Sequence, residues 1–350
     1  MSKLTAFDLQ MLNRALLRAR EFVGRTAPNP PVGAVCVRNG RILGEGAHQK
    51  AGTPHAEVNC LNSCTESPEG ATLYVTLEPC STVGRTPACC DLIRKQKIGR
   101  VVIGCLDPNP KHAGRAVDIL TAARIRTEVA EGETEARCRA FVAPFIRAIT
   151  DGLPYIRLKL AMTLDGYVAD CDGTSKWITG PEARNWVQHL RAEADAIMVG
   201  AQTVFADHPS LQPHLEGAPK KIRVLVDGSR PLPISSADAM TLIASRDLGY
   251  DGSDLTSMLR VLCARGINDV ICEGGGRLGA SLLEAGLVSE LNIFYAPLIL
   301  GDTRAVRGLP VPPRRLPEVR RWHVFERRAL GQDTLLRMIP PEEQIGSKNR

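Results

Sequence analysis

From residue 32 onward the chain alternates short apolar runs with longer stretches whose apolar residues recur at helical spacing. That alternation constrains the fold more than any other feature. VGAVCV (32–37), ATLYVTL (71–77) and RVVIGC (100–105) read as buried strands, and CCDLIRKQ (89–96) and a stretch from about Ala56 read as helices. Asn39-Gly40 is a hairpin signal that turns VGAVCV into RILGEGAH. RIRTEVAEG supplies one more strand after a further helix. Ahead of them all, DLQMLNRALLRAREFV places Leu9, Leu12, Leu16 and Ala19 on one predicted helix face. Strand and helix in alternation define an α/β layer domain.

The pattern breaks at Gly152 and Pro154 and then restarts. IRLKLAM, AIMVG, IRVLVDG, TLIAS, DVICE and ELNIFYAPLIL are strands, and ARNWVQHLRAEA is a helix among them. Two domains follow, 1–150 and 151–339, with a polar and disordered tail at 340–350. The length of 350 residues agrees with two domains rather than one.

Composition narrows the class. With 44% hydrophobic and 23% charged residues the chain is ordinary globular protein. No apolar run approaches the roughly 18–20 residues of a membrane helix, and the N-terminus lacks the apolar core of a signal peptide. A cytoplasmic protein with no membrane association is expected. The net charge of +6 is partly concentrated in RRLPEVRRWHVFERR (314–328). Such a cluster suits a phosphorylated small substrate as well as nucleic acid. Aromatics, at 4%, are thin for a surface that stacks bases, so no nucleic-acid partner is expected.

The eleven cysteines are an odd number, most of them inside apolar runs where a free thiol acts as a small core residue. EPCSTVGRTPACC (78–90) is different, because Cys80, Cys89 and Cys90 lie in a polar, turn-rich loop. Upstream, PHAEVNC puts His55 and Glu57 at the start of a helix, and LEPC puts Cys80 directly after a strand. His-x-Glu followed by Pro-Cys and a further Cys is the pattern of zinc deaminases of bases and nucleosides. One imidazole and two thiolates hold Zn²⁺ by three protein ligands and leave a fourth position for water, whose pKa the metal lowers. His55, Cys80 and Cys89 are the expected ligands. Glu57, which is not a ligand, is the expected catalytic proton carrier. Cys90 points along the next turn direction, so only one of the adjacent pair can face the metal.

Taken together, PNPPVGAV, GAHQKAGTPHAEV, YVTLEPCSTVGRTPACC and DPNPKHAGR resemble the deaminase half of the bifunctional riboflavin-biosynthesis deaminase/reductase family. PYIRLKLAMTLDG, SKWITGPEAR, AIMVGAQTVFADHPSL, CEGGGRLGASLL and FYAPLILG continue the likeness into the reductase half, so that it spans residues 8 to about 340. The resemblance implies an N-terminal cytidine-deaminase-like three-layer domain and a C-terminal dihydrofolate-reductase-like domain. It also implies Zn²⁺ and NADPH as cofactors, and a homo-oligomer, dimer or tetramer, through the reductase domain. The implied reactions are hydrolytic deamination of 2,5-diamino-6-ribosylamino-4(3H)-pyrimidinone 5′-phosphate and NADPH-dependent reduction of its ribosyl group to ribityl.

Residue by residue, the resemblance places Asn29, His48, Arg85, Asp107 and Asn109 against the deaminase substrate, with Arg85 or His48 meeting the phosphate. On their own, Asp107 and Asn109 read equally as an ordinary DPNP turn. In the reductase half it places Lys159, Ser175, Arg191, Leu211, His214 and Glu273 at the substrate. Ala161, Trp177, Thr179, Asp207, Gly275, Gly276 and Gly279 then stand at the cofactor. Without the resemblance, Trp177 reads as a core aromatic and Arg191 as part of a solvated helix face.

EGGGRLG stands apart from the family argument. Gly274-x-Gly276-x-x-Gly279 follows a strand and opens a helix, where backbone N–H groups can meet a pyrophosphate. The acidic residue of a Rossmann fold is missing some twenty residues on, where LNIFYAPLIL stands, so a phosphate loop outside a Rossmann domain is expected. Two positions depart from the family pattern: Thr82 where a histidine is usual, and His214 where an arginine is usual. A histidine gives up a bidentate, permanently charged phosphate contact. A related pyrimidine is therefore the alternative substrate. A deaminase of nucleic-acid bases is the more distant reading, and it would predict neither a reductase half nor a glycine loop.

Overall fold

Thr5 starts the first helix, α1 (Ala6–Arg20), through a capping box. Thr5 Oγ1 accepts from the Asp8 N–H at 3.2 Å, and Asp8 Oδ2 accepts from the Thr5 N–H at 2.8 Å. The buried face of α1 is Asp8, Met11, Leu12, Ala15 and Ala19. Leu9 is exposed and Leu16 only half-buried, in contrast to the face expected from apolar spacing. Asp8 decides the rotation. Its carboxylate accepts from Arg100 at 2.6 and 3.1 Å and from Tyr74 Oη at 2.8 Å, partners that make a buried charge tolerable.

The computed structural model describes residues 4–82, 87–110, 112–207, 209–227, 232, 240–319 and 321–341. Arg85 and the tail from 342 lie outside the described residues. The chain divides into two units, Met1–Gly152 and Leu153–Arg350. The first continues with β1 (Gly33–Arg38), β2 (Arg41–Ala47), α2 (Ala56–Asn62), β3 (Thr72–Val75), α3 (Cys89–Lys95), β4 (Arg100–Ile103), α4 (Arg115–Ala122), β5 (Arg126–Val129), α5 (Glu133–Phe141) and α6 (Ala143–Asp151). Asn39 and Gly40, with φ of 53° and 75°, form the tight turn between β1 and β2. The sheet order is β2-β1-β3-β4-β5, antiparallel through β1 and parallel from β3 to β5. Ala34, Cys36, Leu73, Val75, Val101 and Ile103 pack on one side with α2, α3 and α4. Val35, Val37, Tyr74 and Val102 pack on the other beneath α1. Three layers result.

The second unit contains β6 (Tyr155–Thr163), β7 (Tyr167–Ala169), α7 (Pro181–Glu193), β8 (Ala196–Gly200), α8 (Ala201–Asp207), β9 (Ile222–Val226), β10 (Thr241–Ile243), α9 (Ala244–Asp247), α10 (Leu255–Ala264), β11 (Asp269–Cys272), α11 (Gly276–Glu284), β12 (Val288–Ala296), β13 (Val306–Arg307), β14 (His323–Leu330) and β15 (Asp333–Ile339). Its main sheet runs β10-β9-β8-β11-β6-β12-β15-β14, parallel except for the last two pairings. One face buries Leu158, Met198, Val270 and Ile293 under α10 and α11, and the other buries Ile197, Ile271 and Phe294 under α7.

The β14–β15 hairpin was not expected from sequence, because HVFERRAL reads as a basic stretch. There Arg328 is paired with Glu326 at 2.6 Å and lies 4.1 Å from the Trp186 ring centroid, while Arg337 of β15 holds Glu290 at 2.8 Å. Part of the late positive charge is thus consumed inside the fold. Among the described residues, no helix is long and apolar enough to cross a membrane.

Candidate active sites

Three donor atoms meet at the ends of β3, α2 and α3. His55 is the N-cap residue of α2, Cys80 follows β3 and its EP dipeptide, and Cys89 is the first residue of α3. His55 Nδ1 lies 3.5 Å from Cys80 Sγ and 3.3 Å from Cys89 Sγ, and all three donors lie within 4.8 Å of one another. A tetrahedral zinc bound to one imidazole and two thiolates separates nitrogen from sulfur by about 3.6 Å. The donor set therefore fits zinc in both chemistry and spacing. Among the described residues it is the only such cluster. Cys90 turns away and packs in the apolar layer beside Ile93 and Leu73.

The cluster favours thiolate at Cys80. The Cys80 thiol is held well below its usual range, first by its hydrogen bond with Cys89, then by His55 and the Cys89 N–H, which donates to Cys80 Sγ at 3.1 Å. Cys89 is pushed up by the same pairing and by burial. Glu57, in the first turn of α2, is 3% exposed. Burial first, and the Cys80 charge second, push its carboxyl up to about 7, where it can both take and release a proton.

Of the residues expected to meet the pyrimidine, Asn29 and His48 are brought together. Asn29 Nδ2 lies 3.1 Å from His48 Nε2, and His48 Nδ1 lies 3.1 Å from the Pro54 carbonyl. A carbonyl only accepts, so Nδ1 carries the proton and Nε2 accepts from Asn29. Burial lowers the His48 pKa further, which keeps the ring neutral. In this arrangement both ring nitrogens are engaged, one by the Asn29 amide and one by the Pro54 carbonyl. Asp107 accepts the Asn109 N–H at 2.8 Å, so one of its oxygens does form the ordinary turn. Glu78, which sequence reasoning passed over, is buried and bonds the Asp107 N–H at 3.0 Å.

In the second unit charge gathers beside the C-terminal end of β11. Arg191 of α7 holds Glu273, just beyond β11, with Nε and Nη2 at 2.6 and 2.9 Å. Arg191 is largely buried, so it is not the solvated helix residue that spacing alone suggested. Half-buried Lys159 on β6 has its pKa lowered, first by burial, with Arg191 also acting against its charge and Glu273 for it. Trp177 is 68% exposed, not a core aromatic, and the Arg184 guanidinium stacks 4.5 Å from its ring centroid. Arg184 also donates to the Thr179 carbonyl at 2.7 Å, and Lys176 reaches Asp207 at 3.7 Å. Ser175 is half-buried in the same loop, and Ala161 is half-buried on β6. Exposed His214 pairs with Ser210 Oγ at 3.1 Å. Leu211, by contrast, buries its side chain in the layer under α7, so only its backbone is available.

The glycine loop divides its labour. A Cβ on Gly276 would lie 2.6 Å from the Arg307 carbonyl oxygen, and one on Gly279 would lie 3.1 Å from Leu158. These two glycines serve close internal packing. Gly275, the N-cap of α11, meets nothing closer than Thr203 Oγ1 at 3.5 Å, and its N–H donates to that hydroxyl at 3.1 Å. A helix start left open in this way leaves room for a phosphate to approach the backbone. No local sequence signal distinguished Thr203, which accepts the Gly275 N–H.

The arrangement is that of a zinc aminohydrolase joined in one chain to a pyridine-nucleotide reductase. The cytidine and deoxycytidylate deaminase zinc-binding region matches residues 6–105, and the RibD C-terminal domain matches residues 154–336. The chain is 39% identical over 327 residues to the riboflavin biosynthesis protein RibD of Actinobacillus pleuropneumoniae, covering 86% of each chain. It is 36% identical to that of Escherichia coli, covering 95% of this chain and 99% of the other. Among solved structures, RibD of Acinetobacter baumannii aligns with a TM-score of 0.87 at 35% identity, over 96% of this chain and 99% of that one. The diaminohydroxyphosphoribosylaminopyrimidine deaminase/5-amino-6-(5-phosphoribosylamino)uracil reductase of Thermotoga maritima aligns with a TM-score of 0.85 at 33% identity and the same coverage. The chain belongs to the RibD family, the bifunctional deaminase/reductases of riboflavin biosynthesis, which use zinc in one half and NADPH in the other.

Proposed function

We propose that residues 1–150 deaminate 2,5-diamino-6-ribosylamino-4(3H)-pyrimidinone 5′-phosphate and that residues 151–339 then reduce the deaminated product's ribosyl group to ribityl. The observation that carries the first step is the His55, Cys80 and Cys89 donor set beside buried Glu57. His55, Cys80 and Cys89 would hold zinc, which would supply a Lewis acid for the attacking water. Glu57 accepts a proton from that water and delivers it to the departing amine, a task suited to a carboxyl that titrates near neutrality. Asn29, oriented by His48, reads the edge of the ring, and Asp107 and Asn109 bound it on another side.

For the second step, Lys159, Ser175, Arg191, His214 and Glu273 form the substrate side. Arg191 and Glu273 brace each other, and Lys159, which interacts electrostatically with both, is the proton donor, because burial makes its proton easier to release. Ala161, Trp177, Thr179, Asp207 and the start of α11 at Gly275 form the cofactor side, joined by Thr203, with Gly276 and Gly279 letting that helix pack closely behind. Oligomerisation through the reductase domain belongs to the same reading. Support comes from the exposed apolar residues Leu164, Leu298, Ile299 and Leu300, where the Leu164 N–H bonds the Leu298 carbonyl.

The test is to give the zinc-loaded protein the phosphorylated diaminopyrimidine riboside, follow ammonia, and then add NADPH and follow its oxidation. Ammonia followed by NADPH oxidation is expected. No ammonia from zinc-loaded protein would mean that Thr82 and His214 mark a different pyrimidine.

A further inference from the structure

Glu78 stands two residues before Cys80 yet contributes no atom to the donor cluster. Its side chain is buried, 5% exposed, and it accepts three backbone N–H groups. Oε2 takes Asp107 at 3.0 Å and Gly114 at 2.9 Å, and Oε1 takes Ala116 at 2.9 Å. The bonds within the segment complete a circuit. Asp107 Oδ1 accepts the Asn109 N–H, and the Asn109 carbonyl accepts from His112 at 2.8 Å and Ala113 at 2.9 Å. Gly114 and Ala116 then return to Glu78.

Gly114 is the N-cap of α4, with φ of 79° and no side chain to cap the helix. Glu78 supplies that cap from 36 positions away in sequence. Few side chains can do this. A carboxylate offers two acceptor oxygens and no donor, and bonds to a charged acceptor are the stronger kind.

We propose that Glu78 is a positioning residue for the deamination. By gripping both ends of segment 107–116 it sets where Asp107 and Asn109 meet the pyrimidine. This rests on the reading that assigns those two residues to the substrate. A group that merely capped α4 would, when replaced, lower stability and leave the Michaelis constant alone.

The experiment compares full-length, zinc-loaded Glu78→Gln and Glu78→Asp with the parent. Glutamine can satisfy at most two of the three donors and turns its own NH₂ toward the third. Zinc content and reduction of pre-deaminated substrate are expected to stay at parent values. The KM for deamination is expected to rise about tenfold to a hundredfold, with kcat changing less. The aspartate variant keeps the charge but is one methylene short, and should fall between the two; it carries the test if the glutamine variant does not fold. Faster amide exchange across 107–116 is expected in both variants, a readout that needs no catalysis. A KM within about twofold of the parent, or loss of zinc, would overturn the proposal. If the parent itself released no ammonia, the deaminase reading would fail, and substrate positioning with it, while exchange would still report whether Glu78 holds the segment.

Discussion

The zinc cluster and the reductase pocket solve opposite problems. The cluster takes His55 and Cys89 from two helix starts and Cys80 from the end of a strand, its donor atoms lie within 4.8 Å of one another, and Glu57 is almost sealed from solvent. A small flat ring undergoing hydrolysis is served by such a preset, dry site, where charges act at low dielectric. The reductase pocket instead lies at open strand ends, with Trp177 largely exposed and its loop held by a cation stacked on an aromatic face. A long dinucleotide must enter and leave in each turnover, and a surface of stacking and ion pairs permits that. Rigid burial tunes proton transfer in one site, and replaceable surface contacts tune binding in the other.

The sharpest way to break this contrast is at the metal. Cys89→Ala should abolish zinc binding and ammonia release while leaving NADPH-dependent reduction intact. Cys90→Ala should keep both activities and cost only about 1 kcal/mol of packing. Metal analysis beside the two assays reads the difference, and equal zinc loss in the two variants would reverse the ligand assignment.

Next in size, Glu57→Gln should hold zinc but slow ammonia release by roughly a thousandfold, with reduction of deaminated substrate unchanged. Ammonia at the parent rate would remove Glu57 from proton transfer.

In the reductase pocket, Arg191→Lys replaces a two-pronged grip on Glu273 with a single point charge. Its reductase kcat/KM should fall about tenfold to a hundredfold with deamination untouched. An unchanged reductase would make the pair purely structural.

A smaller effect separates scaffold from site. Burial works against the Asp8 carboxylate, but hydrogen bonds from Arg100 first, then Thr5 and Tyr74, hold its pKa well below the usual value. A depressed folded pKa means that its stabilisation is complete above the unfolded value of about 3.9 and is lost as pH falls toward the folded value. Asp8→Asn should therefore destabilise the first unit by about 2–4 kcal/mol at pH 7 and flatten the acid limb of its stability curve. Denaturant unfolding across pH 2–7 would read this. Smallest of all, His214→Arg should lower the reductase KM severalfold if His214 meets the substrate phosphate. No change would place it outside the pocket.

Much of the fold was legible because its signals are local. The Asn39-Gly40 turn, the strand periods and the helix starts at Ala56 and Cys89 depend on residues within a few positions of one another. His55, Glu57 and the first cysteine could be picked out for the same reason. Asp8 shows where local reasoning fails: an acid in an otherwise polar register became the buried face of α1 because Arg100, 92 positions away, answers its charge. The β14–β15 hairpin was missed similarly, since its arginines are matched by Glu326, Glu290 and Trp186 rather than by neighbours in an apolar pattern.

By itself the sequence determined the class of chemistry and the order of the elements, because ligand types, helix starts and strand periods are short-range properties. Only the tertiary structure decided that Cys90 packs into the apolar layer and that the His48 ring lies against Asn29. It also decided that Arg191 is committed to Glu273, and that Gly276 and Gly279 serve packing while Gly275 stays open. Each of these depends on which groups are brought within about 3 Å across the fold and withdrawn from water together, and pattern along the chain carries no record of that distance.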